Sequence, residues 1–362
     1  MPIESVDVET FLTLSNQYPI LDVRSPSEYQ HAHIPGAVSI PIFTDEQRVI
    51  IGTAYKKQSR KKAVNHGLDF FSERMKIIPG EVEELLRKRN TEINTTLSST
   101  SLNSDGNLAQ PGILLHCWRG GMRSNTVAWL LNLFGYNIFI LKGGYKSYRH
   151  WALAQFEKPY SLHILGGYTG SGKTEILLQM QVTGNTIIDL EGLANHKGSS
   201  FGALGQKPQP SQEMFENNLA LKLSEASKKQ ETIWIEDESN RIGNVHIPNN
   251  FWEQMRKSEL YFLEIPAEER VKFIVTQYGC FSHDLLNHCI IKIQKKLGGL
   301  ETKNALLFLE QNNLRACFEI LLRYYDKLYE KGLNNRDNVQ NLLHKIPCET
   351  VNAENAFFEK IN

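Results

Sequence analysis

The sequence predicts an α/β protein with parallel sheets in two domains, and three observations predict it. Short apolar strands alternate with helical spacing through much of the chain. Two of those strands run straight into glycine-rich turns, "HCWRGGMRS" from His116 to Ser124 and "GGYTGSGKT" from Gly166 to Thr174. At 362 residues the chain is also too long for one ordinary core.

Taken in order, the first strand is Ile20-Leu21, followed by a polar turn at Ser25-Pro26 and a second turn and strand in "IPGAVSIP". A polar, basic stretch holds Lys56, Lys57, Arg60, Lys61 and Lys62, and "EVEELLRKR" carries helical spacing. Thr91–Gln110 is rich in Ser, Thr and Asn and reads as a surface insertion. Strand ("GILLHC"), helix ("SNTVAWLLNLFG") and strand ("NIFILKGG") follow, and "GGYKSYRHWALAQFEKP" leads out. A fresh strand, "SLHILGG", opens the second domain, so the expected domains are 1–150 and 151–362. Beyond about residue 265 the apolar spacing is helical, in "DLLNHCIIKIQKKLGG", "KNALLFLE" and "CFEILLRYYDKLYEKG".

Composition sets limits. Forty basic residues balance forty acidic ones, so a nucleic-acid site would have to be a local patch. No apolar run reaches the roughly 18 to 20 residues of a membrane span, and the acidic start (Glu4, Asp7, Glu9) is unlike a secretion signal. The five cysteines, at 117, 280, 289, 317 and 348, form no CxxC pair and read as reduced thiols of a cytoplasmic protein.

A cysteine at a strand end, under the N–H groups of a glycine turn and a helix N-terminus, is placed to act as a thiolate beside an anion. Cys117 has that position; Gly120 and Gly121 allow the turn, and Arg119 and Arg123 can clamp oxyanions, with Trp118 and Met122 completing the loop. The segment "LDVRSPSEYQHAHIPGA" resembles the N-terminal signature of the rhodanese family, and "HCWRGGMRS" resembles its active-site loop. The resemblance implies that Cys117 carries sulfur or selenium, while Asp22, Arg24, Glu28, His33 and Gly36 hold the fold and the loop. Ordinary sulfurtransferase loops place the arginine five positions after the cysteine. Arg123 is six after Cys117, which is also the HC-x5-R-S spacing of cysteine phosphatases. The loop alone therefore leaves a chalcogen carrier and a phosphatase.

"GYTGSGKT" fits G-x-x-x-x-G-K-[ST] between a strand and a helix, the context of a P-loop. Backbone N–H groups of Gly167, Tyr168, Thr169, Gly170, Ser171 and Gly172 would cradle phosphates, Lys173 would reach a terminal phosphate and Thr174 would ligand Mg²⁺. Two strand ends offer a Walker B-like acid: Asp189 with Glu191, and Asp237 with Glu236 and Glu238; the reading leans to Asp189. Weaker signals are Cys280, His283, His288 and Cys289, whose spacing suits a helix better than a zinc knuckle, and the basic "RKR" at 87–89. "ANHKGSSFG" (Ala194–Gly202) looks like a substrate-facing loop.

With "LKGGYKSYR", "DLEGLANHKGSSFG", "IEDESNRIGNVHIP" and "KKLGGLETKNAL" in the same order, the chain resembles the tRNA 2-selenouridine synthase family from about Leu21 to Tyr329. The expected fold is an N-terminal rhodanese-like parallel-sheet domain followed by a P-loop NTPase-like α/β domain with a helical C-terminal part. The resemblance implies replacement of the sulfur of wobble 2-thiouridine in tRNA by selenium from selenophosphate, itself supplied by its synthase. It also implies an S-geranyl-2-thiouridine intermediate made from geranyl diphosphate, so the P-loop need not serve a nucleotide. No tightly bound cofactor is expected, Mg²⁺ apart. The tRNA surface is sought at Lys56, Lys57, Arg60, Lys61 and Lys62. A phosphatase joined to a nucleotide-binding domain, and a non-catalytic P-loop regulator, are the readings from other classes.

Overall fold

A computed structural model describes residues 3–96 and 112–351. The chain divides into two compact units, Met1–Leu153 and Ala154–Asn362.

The first unit opens with β1 (Ile3–Val6), α1 (Val8–Leu14), β2 (Ile20–Asp22), α2 (Pro26–His31) and β3 (Ala37–Ser39). Three helices follow, α3 (Asp45–Lys57), α4 (Arg60–Arg74) and α5 (Ile78–Thr96), then β4 (Gly112–His116), α6 (Met122–Leu133), β5 (Asn137–Leu141) and α7 (Gly144–Gln155). The strands form one parallel sheet in the order β1-β5-β4-β2-β3. β4 is central and buried along its whole length, as a continuous apolar run covered on both faces must be. Its core joins Leu21, Val23, Ile113 and Leu115 to Val127 and Leu131 of α6.

Local chemistry sharpens the expected picture at three places here. The turn at Ser25-Pro26 is the start of α2: Pro26 supplies a preset φ, and the Glu28 carboxylate accepts the Ser25 N–H at 3.2 Å. The basic stretch is helical, with Lys56 and Lys57 ending α3 and Arg60, Lys61 and Lys62 opening α4. Several large apolar side chains of these two helices, Val49, Ile50, Tyr55 and Leu68, are exposed, and Ala54, Ala63 and Phe71 are the buried positions. Thr91–Thr96 of the expected insertion continue α5; residues 97–110 of that expectation lie outside the described residues.

The second unit begins with β6 (Leu162–Gly167), α8 (Lys173–Val182), β7 (Ile187–Ile188), α9 (Leu190–Ala194), α10 (Gln212–Lys228) and β8 (Ile233–Glu236). A two-stranded antiparallel ribbon, β9 (Arg241–Ile242) with β10 (Val245–His246), precedes α11 (Asn249–Arg256) and β11 (Glu259–Glu264). Then come α12 (Ala267–Tyr278), α13 (His283–Leu297), α14 (Gly299–Glu310), α15 (Leu314–Asn334), α16 (Val339–Leu342) and β12 (Leu343–Pro347). The main sheet is parallel, in the order β12-β11-β6-β8-β7. The helical C-terminal part has its own core, including Ile274, Leu286, Ile290, Leu309, Phe318 and Leu321. It does not end the fold: after the helices the chain returns to the sheet as β12, where Ile346 packs against Leu263 and Met180. In each sheet the central strand, β4 or β6, feeds a glycine turn at its carboxyl end, the usual place for a ligand crevice in a parallel sheet.

Candidate functional sites

Cys117 follows β4 directly and is 3% exposed. Its Sγ lies 3.3 Å from the Ser124 hydroxyl, which in turn donates to the Gly121 carbonyl at 3.0 Å. Burial raises the thiol's pKa, but the Ser124 hydroxyl, the Arg123 charge and the N–H groups of Gly121 and Ser124 outweigh it, and the thiol titrates below its ordinary value. The loop is held by the first turn of α7. Tyr145 N–H donates to the Cys117 carbonyl at 2.8 Å, and Lys146 N–H donates to the Trp118 carbonyl at 3.0 Å. Gly120 and Gly144 both take positive φ, and a Cβ on Gly144 would strike the Cys117 carbonyl and the Gly120 nitrogen.

The residues around this loop divide into braces and open groups. Asp22 and Arg24 form a fully buried pair (2.6 Å), and the Arg24 guanidinium lies 3.9 Å from the centroid of the Tyr145 ring. Glu28 accepts from Arg123 at 2.9 Å, so the guanidinium expected to clamp an anion is tethered beside the thiol. His33 stacks on Tyr29 (centroids 4.0 Å apart), and Gly36 takes φ +81°. Trp118, Arg119 and Met122 are exposed at the mouth.

At the second turn, Gly167, Gly170 and Gly172 all take positive φ, the last as N-cap of α8. Lys173 Nζ donates to the Gly167 carbonyl at 2.9 Å, and Ser171 Oγ is buried without a partner. Two braces fix this loop that the sequence did not announce. Arg270 forms a paired 2.9 Å bridge to Asp326, donates to the Thr169 carbonyl at 3.2 Å and stacks on Tyr168. The Tyr329 hydroxyl accepts from Gly167 N–H at 3.4 Å and donates to Asp237 at 2.6 Å.

The acids at the two strand ends have different partners. Asp189 accepts from Gly192 N–H at 2.7 Å and caps α9, while Asp237 is occupied by Tyr329 and Arg336. The carboxylate on Thr174 is that of Glu191, whose Oε2 accepts the hydroxyl at 3.1 Å. Glu236 accepts from Glu191 N–H at 2.7 Å. Burial, then neighbouring carboxylates, push the Glu236 and Glu238 carboxyls well above the ordinary range, and burial also raises Glu191 against the pull of Lys173. Hydroxyl and carboxylate oxygens at Thr174 and Glu191 are hard donors of the kind Mg²⁺ takes.

A cavity of about 580 Å³ opens at this turn. It is lined by Thr169–Glu175, Glu191, Lys197–Ser199 and Asp237–Asn240, so part of the Ala194–Gly202 loop faces it. Side chains of α11, α12 and α15 complete the wall. Each of the remaining sequence candidates lies within one unit. Lys56, Lys57, Arg60, Lys61 and Lys62 are all exposed where α3 meets α4. Cys289 is buried in the helical core while Cys280 is exposed, and no metal-holding group of His, Cys, Asp and Glu occurs among the described residues.

Comparison with known proteins bears on both units. Residues 7–150 match the rhodanese-like domain family, and residues 160–345 match the family described as the tRNA 2-selenouridine synthase AAA domain. The tRNA 2-selenouridine synthase of Sulfurovum sp. (strain NBC37-1) is 32% identical, over 93% of this chain and 94% of its own length. This chain belongs to the tRNA 2-selenouridine synthase family. Further members include that of Shewanella sediminis (31% identical; 89% of each chain) and that of Shewanella woodyi (30% identical; 88% of this chain, 89% of its own). The family's two domain models thus fall on the two units, each with its own glycine turn.

Proposed function

We propose that this chain replaces the sulfur of wobble 2-thiouridine in tRNA by selenium from selenophosphate, with Cys117 as the selenium carrier. The observation that carries this reading is the Cys117 thiol, buried yet held below its ordinary pKa by Ser124, Arg123 and two N–H groups. A thiol so placed is a nucleophile beside an oxyanion seat, as capture from selenophosphate requires. A chalcogen bonded to a ring carbon leaves poorly until it is alkylated. The second turn supplies that earlier step: it holds the diphosphate of geranyl diphosphate, and the thiouridine sulfur attacks C1 of the geranyl group. The C1–O bond breaks and diphosphate leaves with the electron pair. For the second step the Cys117 thiolate attacks selenophosphate at selenium. The Se–P bond breaks and its electron pair leaves on phosphorus as phosphite, so the thiol carries a perselenide. The perselenide selenium attacks C2 of the alkylated base, and geranylthiolate departs with the C2–S electron pair. A small-molecule thiol acting as reductant cleaves the S–Se bond, leaving selenouridine and a mixed disulfide on Cys117 that a second thiol reduces. Lys173 and the loop N–H groups bear the charge that develops on the departing diphosphate. Bound at Thr174 and Glu191, Mg²⁺ would supply further neutralisation of that charge.

On this reading the partners are a tRNA carrying wobble 2-thiouridine and the synthase that makes selenophosphate, in the cytoplasm. No helix among the described residues is long and apolar enough to cross a membrane. The deciding assay incubates 2-thiouridine tRNA with the protein, selenophosphate and geranyl diphosphate, beside a Cys117→Ala variant, and weighs the nucleosides by mass spectrometry. Selenouridine from the wild type, and only thio or geranylthio product from the variant, is the expected result. Unmodified tRNA with hydrolysis of an aryl phosphate instead would establish the phosphatase reading.

A further inference from the structure

Within the turn from Cys117 to Ser124 the one aromatic side chain is Trp118, next to the carrier in the chain. Cys117 is 3% exposed, whereas the neighbouring indole is 37% exposed. The Cys117 and Trp118 carbonyls are both pinned, by Tyr145 N–H and Lys146 N–H, so the indole leaves a fixed stretch of backbone. The groups that support the ring are buried. Tyr145 lies 5.7 Å from it between centroids and packs in turn on Tyr148 at 6.1 Å. The Arg24 guanidinium, paired with Asp22, lies 5.9 Å from the indole centroid. Braced by buried groups and itself open to water, the indole offers a flat apolar surface beside the thiol. Neither the tuning of that thiol nor the capture of selenium uses this ring, since Ser124, Arg123 and the N–H groups of Gly121 and Ser124 lower the thiol.

We propose that Trp118 is the positioning residue for the acceptor base, a stacking platform that holds the alkylated pyrimidine against the selenium carried by Cys117. The proposal rests on the selenium-carrier reading given to Cys117 above and names the side chain that aims the acceptor. Selenium attacks C2 along the normal to the ring plane, so transfer needs the tilt of that plane held as well as its distance. Hydrogen bonds to a base edge fix its place within the plane; an aromatic ring against its face fixes the plane itself. Alkylation of the sulfur removes the thiocarbonyl acceptor and the ring N3–H, which weakens any edge-on grip near C2. A stacked face keeps its hold through that step. A base in a single-stranded loop can be splayed out to reach such a platform, and stacking on aromatic side chains is the common way such bases are held.

The test charges the full-length protein with selenophosphate, mixes it in single turnover with an anticodon stem-loop carrying S-geranyl-2-thiouridine, and quenches with a small-molecule thiol. Intact-protein mass spectrometry reads the charging of Cys117, and nucleoside mass spectrometry reads the transfer. Trp118→Ala should slow transfer at subsaturating stem-loop on the order of tenfold or more. Its charging and its Cys117 alkylation profile should stay within about twofold of wild type, because the groups that lower the thiol are retained. Trp118→Phe keeps an aromatic face and should recover most of the transfer rate. The stem-loop should also quench the wild type's indole emission, and Trp118→Phe should lose most of that quenching. Transfer by Trp118→Ala at the wild-type rate would overturn the platform, as would a Phe variant as slow as the Ala variant or one quenched as strongly as wild type. Equal losses of charging and transfer in Trp118→Ala would reduce the indole to a prop for the turn and overturn it as well. Wild-type protein that takes up no selenium, or takes it up and delivers none, would remove the carrier reading and the platform with it.

Discussion

Burial alone would make Cys117 a poor nucleophile, and its environment reverses that. The Ser124 hydroxyl is the strongest of the groups that lower the thiol, ahead of the Arg123 charge. Ser124→Ala should therefore move the alkylation midpoint of Cys117 to higher pH, slowing its reaction with iodoacetamide several-fold at neutral pH. An unshifted profile would return control of the thiol to the backbone N–H groups. Arg123→Ala should weaken use of selenophosphate while sparing geranylation, read from the two nucleoside products; equal loss of both would count against an oxyanion role. Glu236 gives a prediction of opposite sign. Its folded pKa is raised, so its carboxyl favours folding at low pH and penalises it increasingly as pH rises above the unfolded value. Glu236→Gln keeps the oxygen that accepts Glu191 N–H and removes the charge, so it should raise Tm at pH 8 more than at pH 5. The strand-to-glycine-turn settings of Cys117 and of Gly167, Gly170 and Gly172 were legible because they are written in local backbone spacing. The pairing of the Thr174 hydroxyl with Glu191 was not, because it depends on Asp189 turning back to cap α9.

At the scale of elements, both turns are braced by segments distant in sequence. Gly143 and Gly144, where α7 begins, let its first turn press against the cysteine loop, and Gly144→Ala would drive a Cβ into its backbone. We expect a loss of roughly 2 kcal/mol or more, with slower Cys117 alkylation, from thermal denaturation and thiol labelling of the same variant. Arg270 ties α12 and α15 to the phosphate loop through Thr169 and Asp326. Arg270→Met leaves Asp326 without that partner and frees the Thr169 carbonyl. It should cost on the order of 3 kcal/mol and abolish diphosphate binding. Retained diphosphate affinity would show that the loop keeps its shape unaided. These braces escape a sequence reading because Arg270, Asp326 and Tyr329 lie 100 or more residues beyond the first turn residue they support. The same holds for strand β12, whose "LHKIP" lacks the apolar density of the inner strands because it pairs on one edge only. Helices α3 and α4 bury few side chains and leave Val49, Ile50, Tyr55 and Leu68 exposed, so their apolar residues mark no single buried face.

For the whole molecule, the balanced charge leaves tRNA binding to a local surface, and the exposed basic cluster at the α3–α4 junction is the one proposed. Reversing Lys56, Lys57, Arg60, Lys61 and Lys62 to Glu should weaken tRNA binding and flatten its dependence on salt concentration. Binding with an unchanged salt slope would move the tRNA surface elsewhere. Two parallel sheets were legible because alternating strand and helix leaves little other choice, and each glycine turn marks the strand at the centre of its sheet. The edge position of β12 has a consequence during synthesis. The first sheet has all its strands once Leu141 has left the ribosome, whereas the second still lacks its border when the phosphate turn, α12 and α15 have already emerged. Until Leu343–Pro347 arrives, β11 shows the cell an unpaired rim, and this is the interval in which a nascent chain of this design is most exposed to wrong pairing and to chaperone capture.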